Sequence, residues 1–210
     1  MFITFEGPEG SGKTTQAQLL ASHLRQEGFV VVLTREPGGT PIGDQIREVL
    51  HNPANTDMYS WAEVFLYSAS RAQLVAQVIR PALVAGKVVV CDRYADSTLA
   101  YQGCGRGLDL QPLREITRRA TGGLVPDLTL YLDIKPGQGL QRRLSGGEEW
   151  NRMDQEAIAF HRRVRAGYLE LANLEPERWV IVDAARSVEE VQAETRVLVE
   201  ARLNDAGSHA

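Results

Sequence analysis

The chain is poor in cysteine and has no long apolar run, and each shortage excludes a class of protein. Cys91 and Cys104 do not form a Cys-x-x-Cys pair, which favours reduced thiols over a disulfide or a zinc site. The four histidines lack the spacing of metal ligands, so we expect no metal site built from protein side chains alone. Apolar runs such as 29–33 and 88–91 have the length of strands and fall short of the ~20 residues that span a bilayer.

Positive charge is also in deficit, with 23 lysines and arginines against 27 aspartates and glutamates and a net charge of -4. A chain with this balance is a poor general ligand of nucleic acid or of anionic membranes, so we expect neither as a partner. The first residues show no basic region followed by a long apolar stretch, as a secretory signal would. We therefore expect a cytoplasmic location.

What is present is an average globular composition, with 43% hydrophobic and 24% charged residues among 210. At ~100 to 200 residues per domain, this length predicts a single domain over residues 1–205. The small, polar residues 206–210 are expected to form a disordered tail.

Short β-rich runs alternate with longer helical patterns along the chain. Strands are predicted at 2–6, 29–34, 88–92, 128–134 and 179–182, and helices at 13–27, 42–51, 57–85, 112–121, 137–144, 155–173 and 188–203. Because the strand runs are apolar on both faces, all five could be interior strands. Pro81 is expected to end or kink the long third helix. The alternation predicts a three-layer α/β fold, with a five-stranded parallel sheet flanked by helices.

A glycine-rich segment follows the first strand and matches the pattern G-x-x-x-x-G-K-S/T. It reads Gly7-Pro8-Glu9-Gly10-Ser11-Gly12-Lys13-Thr14. Glycines let the backbone curl so that several N–H groups converge on phosphate oxygens, and the following helix adds positive potential at its N-terminus. Lys13 would reach the β- and γ-phosphates, and Thr14 would ligate Mg²⁺. The pattern predicts a nucleotide-phosphate site, with a chance glycine turn as the alternative.

A phosphate loop is shared by kinases, GTP-driven switches and ATP-driven motors. The sequence lacks the Asn/Thr-Lys-x-Asp tetrad with which guanine-specific switches read their base. Motors need coupling domains, and 210 residues barely exceed one α/β unit. These two shortages favour a small phosphotransferase.

A carboxylate and a guanidinium, Asp92 and Arg93, come at the end of the third predicted strand. Ligands of open α/β folds bind at this edge of the sheet. Asp92 can orient water on Mg²⁺, and Arg93 can hold an acceptor phosphate with its planar fork. A structural salt bridge at the strand end is the alternative interpretation.

Several stretches resemble those of bacterial thymidylate kinases: 2–15, 34–40 (Thr-Arg-Glu-Pro-Gly-Gly-Thr) and 92–103 (Asp-Arg-Tyr-Ala-Asp-Ser-Thr-Leu-Ala-Tyr-Gln-Gly). Further matches reach about Leu171, and 151–156 is similar to the family's lid-closing segment. The resemblance implies a P-loop NTPase fold with a short lid at about 143–153, and a homodimer. It implies phosphorylation of dTMP to dTDP with ATP and Mg²⁺. Another nucleoside or nucleotide kinase, or a nucleotide-binding regulator without turnover, remains an alternative.

The same resemblance assigns residues to the acceptor. It implies that Tyr67, where the family usually has Phe, stacks on thymine and that Arg71 hydrogen-bonds the thymine O4. These two residues are four apart in a predicted helix and so share a face, while Phe65 and Leu66 are the better core candidates. The other assignments are Thr15 in the phosphate loop, Thr98 and Gln102 at the base edge, Tyr101 on the sugar, Glu9 on the deoxyribose side, Glu36 and Pro37 in a turn beside the acceptor, and Arg47 at its phosphate. Thr98, Tyr101 and Gln102 are predicted to share a loop.

The lid departs from the family pattern. Family lids carry several basic residues, but this chain has none between Arg143 and Arg152. Because Glu9 and Gly10 stand where some relatives place a phosphate-loop arginine, the charge-neutralising group is expected to come from the lid. Arg152 is the first candidate and Arg142 the second.

Overall fold

The computed structural model describes residues 1–146 and 151–207, in which strands and helices alternate. The strands are β1 (Phe2–Glu6), β2 (Val31–Arg35), β3 (Val88–Asp92), β4 (Leu128–Asp133) and β5 (Trp179–Asp183). The helices are α1 (Lys13–Gln26), α2 (Pro41–His51), α3 (Ser60–Leu74), α4 (Arg80–Val84), α5 (Ala95–Thr98), α6 (Leu110–Thr121), α7 (Pro136–Ser145), α8 (Ile158–Leu174) and α9 (Val188–Gly207). Two π-helical segments, Val75–Ile79 and Leu99–Gly105, continue α3 and α5.

The five strands form one parallel sheet in the order β2-β3-β1-β4-β5, which confirms the predicted α/β fold. The expectation that all five could be interior is wrong for β2 and β5, which form the two edges and have partly exposed side chains. Their apolar composition reflects the helices beside them. Apolar composition alone therefore does not distinguish an edge strand from an interior strand.

Side chains alternate along β1 and build a core on each face of the sheet. Ile3 and Phe5 pack on one face with Leu20 of α1. Phe2 packs on the other face with Ile79, which lies in the π-helical segment after α3. Helices therefore cover both faces, and the carboxyl ends of the strands are left free for a ligand site.

The helix that begins with α3 continues through Pro81 to Val84, whereas the sequence predicted an end or a kink at the proline. The turn before Pro81 is a π-turn, in which the Arg80 N–H donates to the Val75 carbonyl. A π-turn is wider than an α-turn, and the wider turn accommodates a ring that would otherwise clash with the carbonyl four residues earlier.

The segment after β3 is helical, so the expectation that Thr98, Tyr101 and Gln102 share a loop is wrong. Glycines in this helical segment allow close packing against its neighbours. A Cβ at Gly105 would lie 2.7 Å from the Phe160 ring of α8.

The last helix continues to Gly207, two residues into the segment 206–210 that was predicted as a tail. Positions 208–210 lie outside the described residues. No helix in the described part of the chain combines the length and apolar composition needed to cross a bilayer.

Candidate active site

A polar cavity of about 260 Å³ lies where β1, β2 and β3 end. The predicted site residues that line it are Glu9, Gly10, Gly12, Lys13, Thr14, Thr15, Glu36, Pro37, Arg47, Tyr67, Asp92, Arg93, Thr98, Tyr101 and Gln102. Three others contact lining residues from behind, because the Gly7 carbonyl accepts from Arg93 and both Pro8 and Ser11 accept from Lys13. Arg71, Arg142 and Arg152 are not among the lining residues.

The phosphate loop depends on glycine at its tight positions. Gly10 and Gly12 have φ values of 70° and 86°, in the left-handed region that favours glycine. The Gly12 carbonyl accepts from the Gln16 N–H at 2.9 Å and so opens α1 directly after the loop. The N-terminus of α1 therefore lies at the cavity, where its free N–H groups and dipole favour an anion.

Lys13 lies under the loop to which it belongs. Its Nζ donates to the Pro8 carbonyl at 2.8 Å and to Ser11 Oγ at 3.2 Å. Burial and the nearby Arg93 lower the pKa of Lys13 to about 8, although carboxylates including Glu9 oppose the change. A phosphate group in the cavity would favour the charged amine and raise this pKa again.

Thr14 and Asp92 bring a hydroxyl and a carboxylate together at the mouth of the loop. Thr14 Oγ1 donates to Asp92 Oδ2 at 2.5 Å. Across the described residues, no group of three or more His, Cys, Asp or Glu side chains could hold a metal ion. The two oxygens fit Mg²⁺, which prefers hard oxygen ligands and commonly takes most of them from phosphate and water.

Arg93 and Glu9 form an ion pair on the cavity wall, with 2.8 Å between Nη2 and Oε1. The Tyr101 hydroxyl donates to Glu9 Oε1 at 3.0 Å, and the guanidinium carbon of Arg93 lies 4.9 Å from the Tyr101 ring centroid. Burial alone would raise the pKa of Glu9, but Arg93, Lys13, Arg143 and the Tyr101 hydroxyl lower it to about 2. Glu9 is therefore an ionised carboxylate inside the site.

The backbone of Arg93 is held in an unusual conformation, with a φ of 69°. Such a conformation persists in a non-glycine residue only where its surroundings hold it. Here the Arg93 N–H donates to the Phe5 carbonyl at 2.9 Å, and the Tyr94 N–H donates to Glu6 Oε1 at 2.8 Å. The central strand β1 thus fixes the turn that presents the Arg93 guanidinium to the cavity.

Glu6 is a fully buried carboxyl group directly behind this turn. Its Oε2 accepts from Ser97 Oγ at 2.6 Å and from the Tyr168 hydroxyl at 2.7 Å. Burial and the neighbouring Asp96 raise the pKa of Glu6 to about 7, against the effects of Ser97, Arg93 and Tyr168. The group that holds the Arg93 turn therefore titrates near neutral pH.

Arg71 lies behind the cavity wall and is 1% exposed. Its Nε donates to Glu36 Oε2 at 2.8 Å, and its Nη1 donates to Thr98 Oγ1 at 3.0 Å. Tyr67, one turn earlier on α3, lines the cavity itself. The structure thus brings four of the residues assigned to the acceptor into one corner of the site.

The arginines predicted to act from the lid make their contacts elsewhere. Arg152 is buried in an ion pair with Glu63 of α3. Arg142 donates to the carbonyls of Ala184 and Ala185 at 2.6 and 2.9 Å. In this conformation neither candidate reaches the phosphate loop.

Arg143 does line the cavity, and its Nε lies 2.6 Å from Asp154 Oδ1. It flanks the part of the predicted lid that lies outside the described residues, 147–150. Asn151 and Met153 line the cavity from the other side of that gap.

Sequence reasoning missed several residues of the cavity wall, and some of them had a signal. His51 follows Arg47 by one helical turn on α2, and Ser97 directly precedes Thr98. Burial and the neighbouring Arg47 lower the pKa of His51 to about 3, so its imidazole is neutral. The full set of lining residues missed in this way is Arg35, His51, Ser97, Asn151 and Met153.

The geometry agrees with comparisons to known proteins. The family model described as thymidylate kinase matches residues 5–195. A thymidylate kinase of Deinococcus radiodurans is 54% identical over 202 residues, covering 96% of this chain and 97% of the relative. One of Roseiflexus sp. (strain RS-1) is 52% identical over 214 residues, covering 97% of this chain and 95% of the relative. The crystal structure of a thymidylate kinase from Ehrlichia chaffeensis superposes with a TM-score of 0.77 at 33% identity, covering 95% of this chain and 98% of that one.

Proposed function

The chain belongs to the thymidylate kinase family, and from that membership we propose that it transfers the γ-phosphoryl group of ATP to dTMP, yielding dTDP and ADP. It is a nucleoside monophosphate kinase. The observation that carries the proposal is that Lys13 of the phosphate loop and Arg93 after β3 face one cavity. A donor phosphate held by the first group and an acceptor phosphate held by the second would meet there.

The chemistry of the acceptor explains why the site is built from cations rather than from a base. A phosphate monoester has its second pKa at ~6, so its attacking oxygen is already deprotonated at neutral pH. What remains is to align two polyanions and to neutralise them. Lys13, the N-terminus of α1 and Arg93 supply this charge, and Glu9 keeps Arg93 oriented through their ion pair.

We propose Thr14 and Asp92 as the residues that hold Mg²⁺. When bound, Mg²⁺ supplies positive charge to the β- and γ-phosphate oxygens. Asp92 has a second role in the same place, because it already fixes the Thr14 hydroxyl.

We propose that the acceptor nucleotide binds in the corner of the cavity next to Arg71. We assign Tyr67 to the face of thymine, with Thr98 and Gln102 at its edge and Tyr101 against the sugar. We assign Arg71 to the base edge through Thr98, whose Oγ1 accepts from Arg71 Nη1 at 3.0 Å. Glu36, Pro37 and Arg47 close the acceptor side of the cavity, where the Pro37 carbonyl accepts from Arg47 Nη1 at 3.0 Å.

We further propose a cytoplasmic homodimer that acts without nucleic acid or membrane. Exposed apolar side chains on α2, directly before α3 and on α3 support the dimer, since Val49, Tyr59 and Phe65 are 45%, 69% and 57% exposed. The net charge of -4 supports independence from polyanionic partners.

The experiment that tests the proposed function is ADP release from MgATP with dTMP, dUMP, dCMP, GMP or thymidine as acceptor. We expect turnover with dTMP, a severalfold preference over dUMP for one buried methyl group worth ~1 kcal/mol, and a much larger preference over dCMP. Lys13→Ala should lose more than tenfold in rate with an unchanged circular dichroism spectrum. A different preferred acceptor would indicate another kinase, and no ADP release with any acceptor would indicate a regulator.

A further inference from the structure

Glu63 of α3 is a completely buried carboxylate with no part in the mechanism above. Side chains from other parts of the fold converge on it. Gln102 Nε2 donates to Oε1 at 2.7 Å, and Arg106 donates with Nε to Oε1 at 2.8 Å and with Nη2 to Oε2 at 3.0 Å. Arg152 also donates to Oε2.

These partners keep Glu63 ionised and stationary. Burial would raise the pKa of Glu63, but the hydrogen bonds and charge of Arg106 and the charge of Arg152 lower it below its usual value. Arg106 is braced in turn by Glu156, at 2.8 Å. A carboxylate held by two arginines from different segments has little freedom to rotate.

An ionised carboxylate determines which way the Gln102 amide points. It accepts hydrogen bonds and donates none, so the Gln102 atom 2.7 Å away has to be the amide nitrogen. The carbonyl oxygen is then on the other branch of the amide. Gln102 lines the cavity, and no donor within residues 1–146 or 151–207 satisfies that oxygen. Gln102 therefore offers an acceptor to a ligand.

The pyrimidine bases differ at N3, the atom to which such an acceptor would hydrogen-bond. Thymine and uracil carry a hydrogen on N3, whereas cytosine presents a lone pair there. The Thr98 hydroxyl can both donate and accept, so it does not by itself distinguish the two. A fixed carbonyl can, because it receives N3–H and repels a lone pair.

We propose that Glu63 is a positioning residue that makes the acceptor subsite selective for bases carrying N3–H, by locking the Gln102 amide with its carbonyl toward the base. This inference rests on the proposed function. It assigns Glu63 no contact with the substrate, and it separates recognition of N3–H from recognition of the thymine methyl group.

Glu63→Gln tests the inference, because a neutral amide can face Gln102 with either its oxygen or its nitrogen. The Gln102 amide is then free to flip and to present its nitrogen to the base. The kcat/KM ratio of dTMP to dCMP is expected to fall by about tenfold, the size of one hydrogen bond. The ratio of dTMP to dUMP should stay within about twofold, because both bases carry N3–H. A role in folding alone would leave both ratios unchanged.

Glu156→Gln is the matched control, since it is the same change of side chain, removes the ion pair between Glu156 and Arg106, and leaves every partner of Glu63 in place. It should lower the melting temperature and leave the dTMP-to-dCMP ratio unchanged. Gln102→Met should lower that ratio as Glu63→Gln does, and the double variant should lower it no further. Additive losses in the double variant would contradict the proposed coupling.

The double variant Glu63→Gln/Gln102→Glu keeps the inference testable if Glu63→Gln does not fold, because it restores the contact between a carboxylate and an amide with the two groups exchanged. A carboxylate at position 102 presents an acceptor oxygen on either branch, so selectivity for N3–H no longer depends on the group at position 63. The dTMP-to-dCMP ratio of this double variant should stay within about twofold of the wild-type ratio, and a ratio as low as that of Gln102→Met overturns the inference. If the wild type fails to phosphorylate dTMP, the proposed function fails; if it turns over dTMP and Glu63→Gln keeps the dTMP-to-dCMP ratio, only this inference fails.

Discussion

Lys13 and Glu6 are buried side chains near the cavity whose pKa values lie close to neutral pH. Lys13, with a pKa of about 8, is largely neutral at pH 8.5. Because bound phosphate favours the charged amine, we expect ATP binding at pH 8.5 to take up a proton. Isothermal titration in two buffers with different ionisation enthalpies measures this uptake. Lys13→Met should remove it, and a wild-type binding enthalpy that is independent of the buffer would contradict the lowered pKa.

The raised pKa of Glu6 predicts how the free energy of unfolding depends on pH. Its pKa of about 7 in the folded protein lies above the ordinary 4.5, so the folded state holds a proton that the unfolded chain has released between these two pH values. The contribution of Glu6 to the free energy of unfolding therefore decreases as the pH rises from 4.5 to 7. Urea denaturation across this range should show the wild type losing stability relative to Glu6→Gln, with a constant difference above about pH 8.

Glu9→Gln is the control for that series, because the pKa of Glu9 is lowered to about 2. The ionised Glu9 carboxylate stabilises the folded protein fully above the ordinary pKa of 4.5, and this stabilisation is lost only as the pH falls toward 2. Between pH 5 and pH 8 the difference between the wild type and Glu9→Gln should therefore stay flat. A parallel slope for both variants would show that Glu6 does not titrate as described.

Among individual residues, the sequence predicted those that line the cavity better than the buried residues that hydrogen-bond to them and hold them in place. The phosphate loop is local in sequence, so its pattern was visible directly. Glu6 contacts Tyr168 and Glu63 contacts Arg152, which are far apart along the chain. No spacing in one sequence reports such pairs. The same limit explains why Arg152 was assigned to the phosphate without its partner Glu63.

At the scale of elements, the phosphate loop rests directly on the first turns of α7. A Cβ on Gly139 would lie 2.2 Å from the Glu9 carbonyl oxygen, whereas a Cβ on Gly137 meets nothing within 4 Å. Gly139→Ala should therefore displace the loop, lower the melting temperature and raise the KM for ATP by about tenfold or more. Gly137→Ala should leave KM unchanged and stabilise the helix by up to ~1 kcal/mol. Equal effects of the two substitutions would mean that α7 does not position the loop.

Substitutions at the two ends of the predicted lid, about 143–153, allow effects on stability and on catalysis to be separated. Arg152→Ala leaves a buried Glu63 with fewer partners and should destabilise the fold by about 3 kcal/mol or more. Arg143 lines the cavity, and Arg143→Ala should lower kcat with little change in dTMP affinity if it neutralises the transferring phosphate. Thermal unfolding and steady-state kinetics of both variants distinguish the roles. A loss of roughly 10²-fold in kcat for Arg152→Ala at unchanged melting temperature would return the catalytic role to Arg152.

The elements themselves were predicted well where a periodic pattern was long. The errors fell at Pro81, which was expected to end or kink a helix, and at the segment after β3, which was expected to be a loop. Pro81 is accommodated by a π-turn, and Gly105 lets a helix approach Phe160 closely. The close approach at Gly105 depends on a neighbouring helix that the sequence does not place.

At the scale of the whole molecule, the apolar surface of α3 makes the dimer testable. Phe65 was expected in the core and is instead 57% exposed. Analytical ultracentrifugation should find a dimer for the wild type, and Phe65→Asp should weaken the association. Val84→Asp, at a position that is 90% exposed on α4, is the control and should remain dimeric. A wild-type protein that is monomeric at micromolar concentration would contradict the proposed homodimer.

The sequence predicted the class of fold from the alternation of strands and helices, but it did not predict the order of the strands. Apolar β2 and β5 resemble interior strands in composition, and only pairing distinguishes an edge. Pairing is a long-range property, which one sequence does not record.

The central position of β1 also has a consequence for synthesis on the ribosome. β1 is made first, yet its two neighbours in the sheet begin only at Val88 and Leu128. A nascent chain therefore carries its phosphate loop on a strand that has no partner until β3 has been made and only one partner until β4 has been made. Non-local pairing of this kind folds slowly and leaves apolar strand edges available for association with other chains. We expect chains truncated before Leu128 to bind chaperones and not ATP.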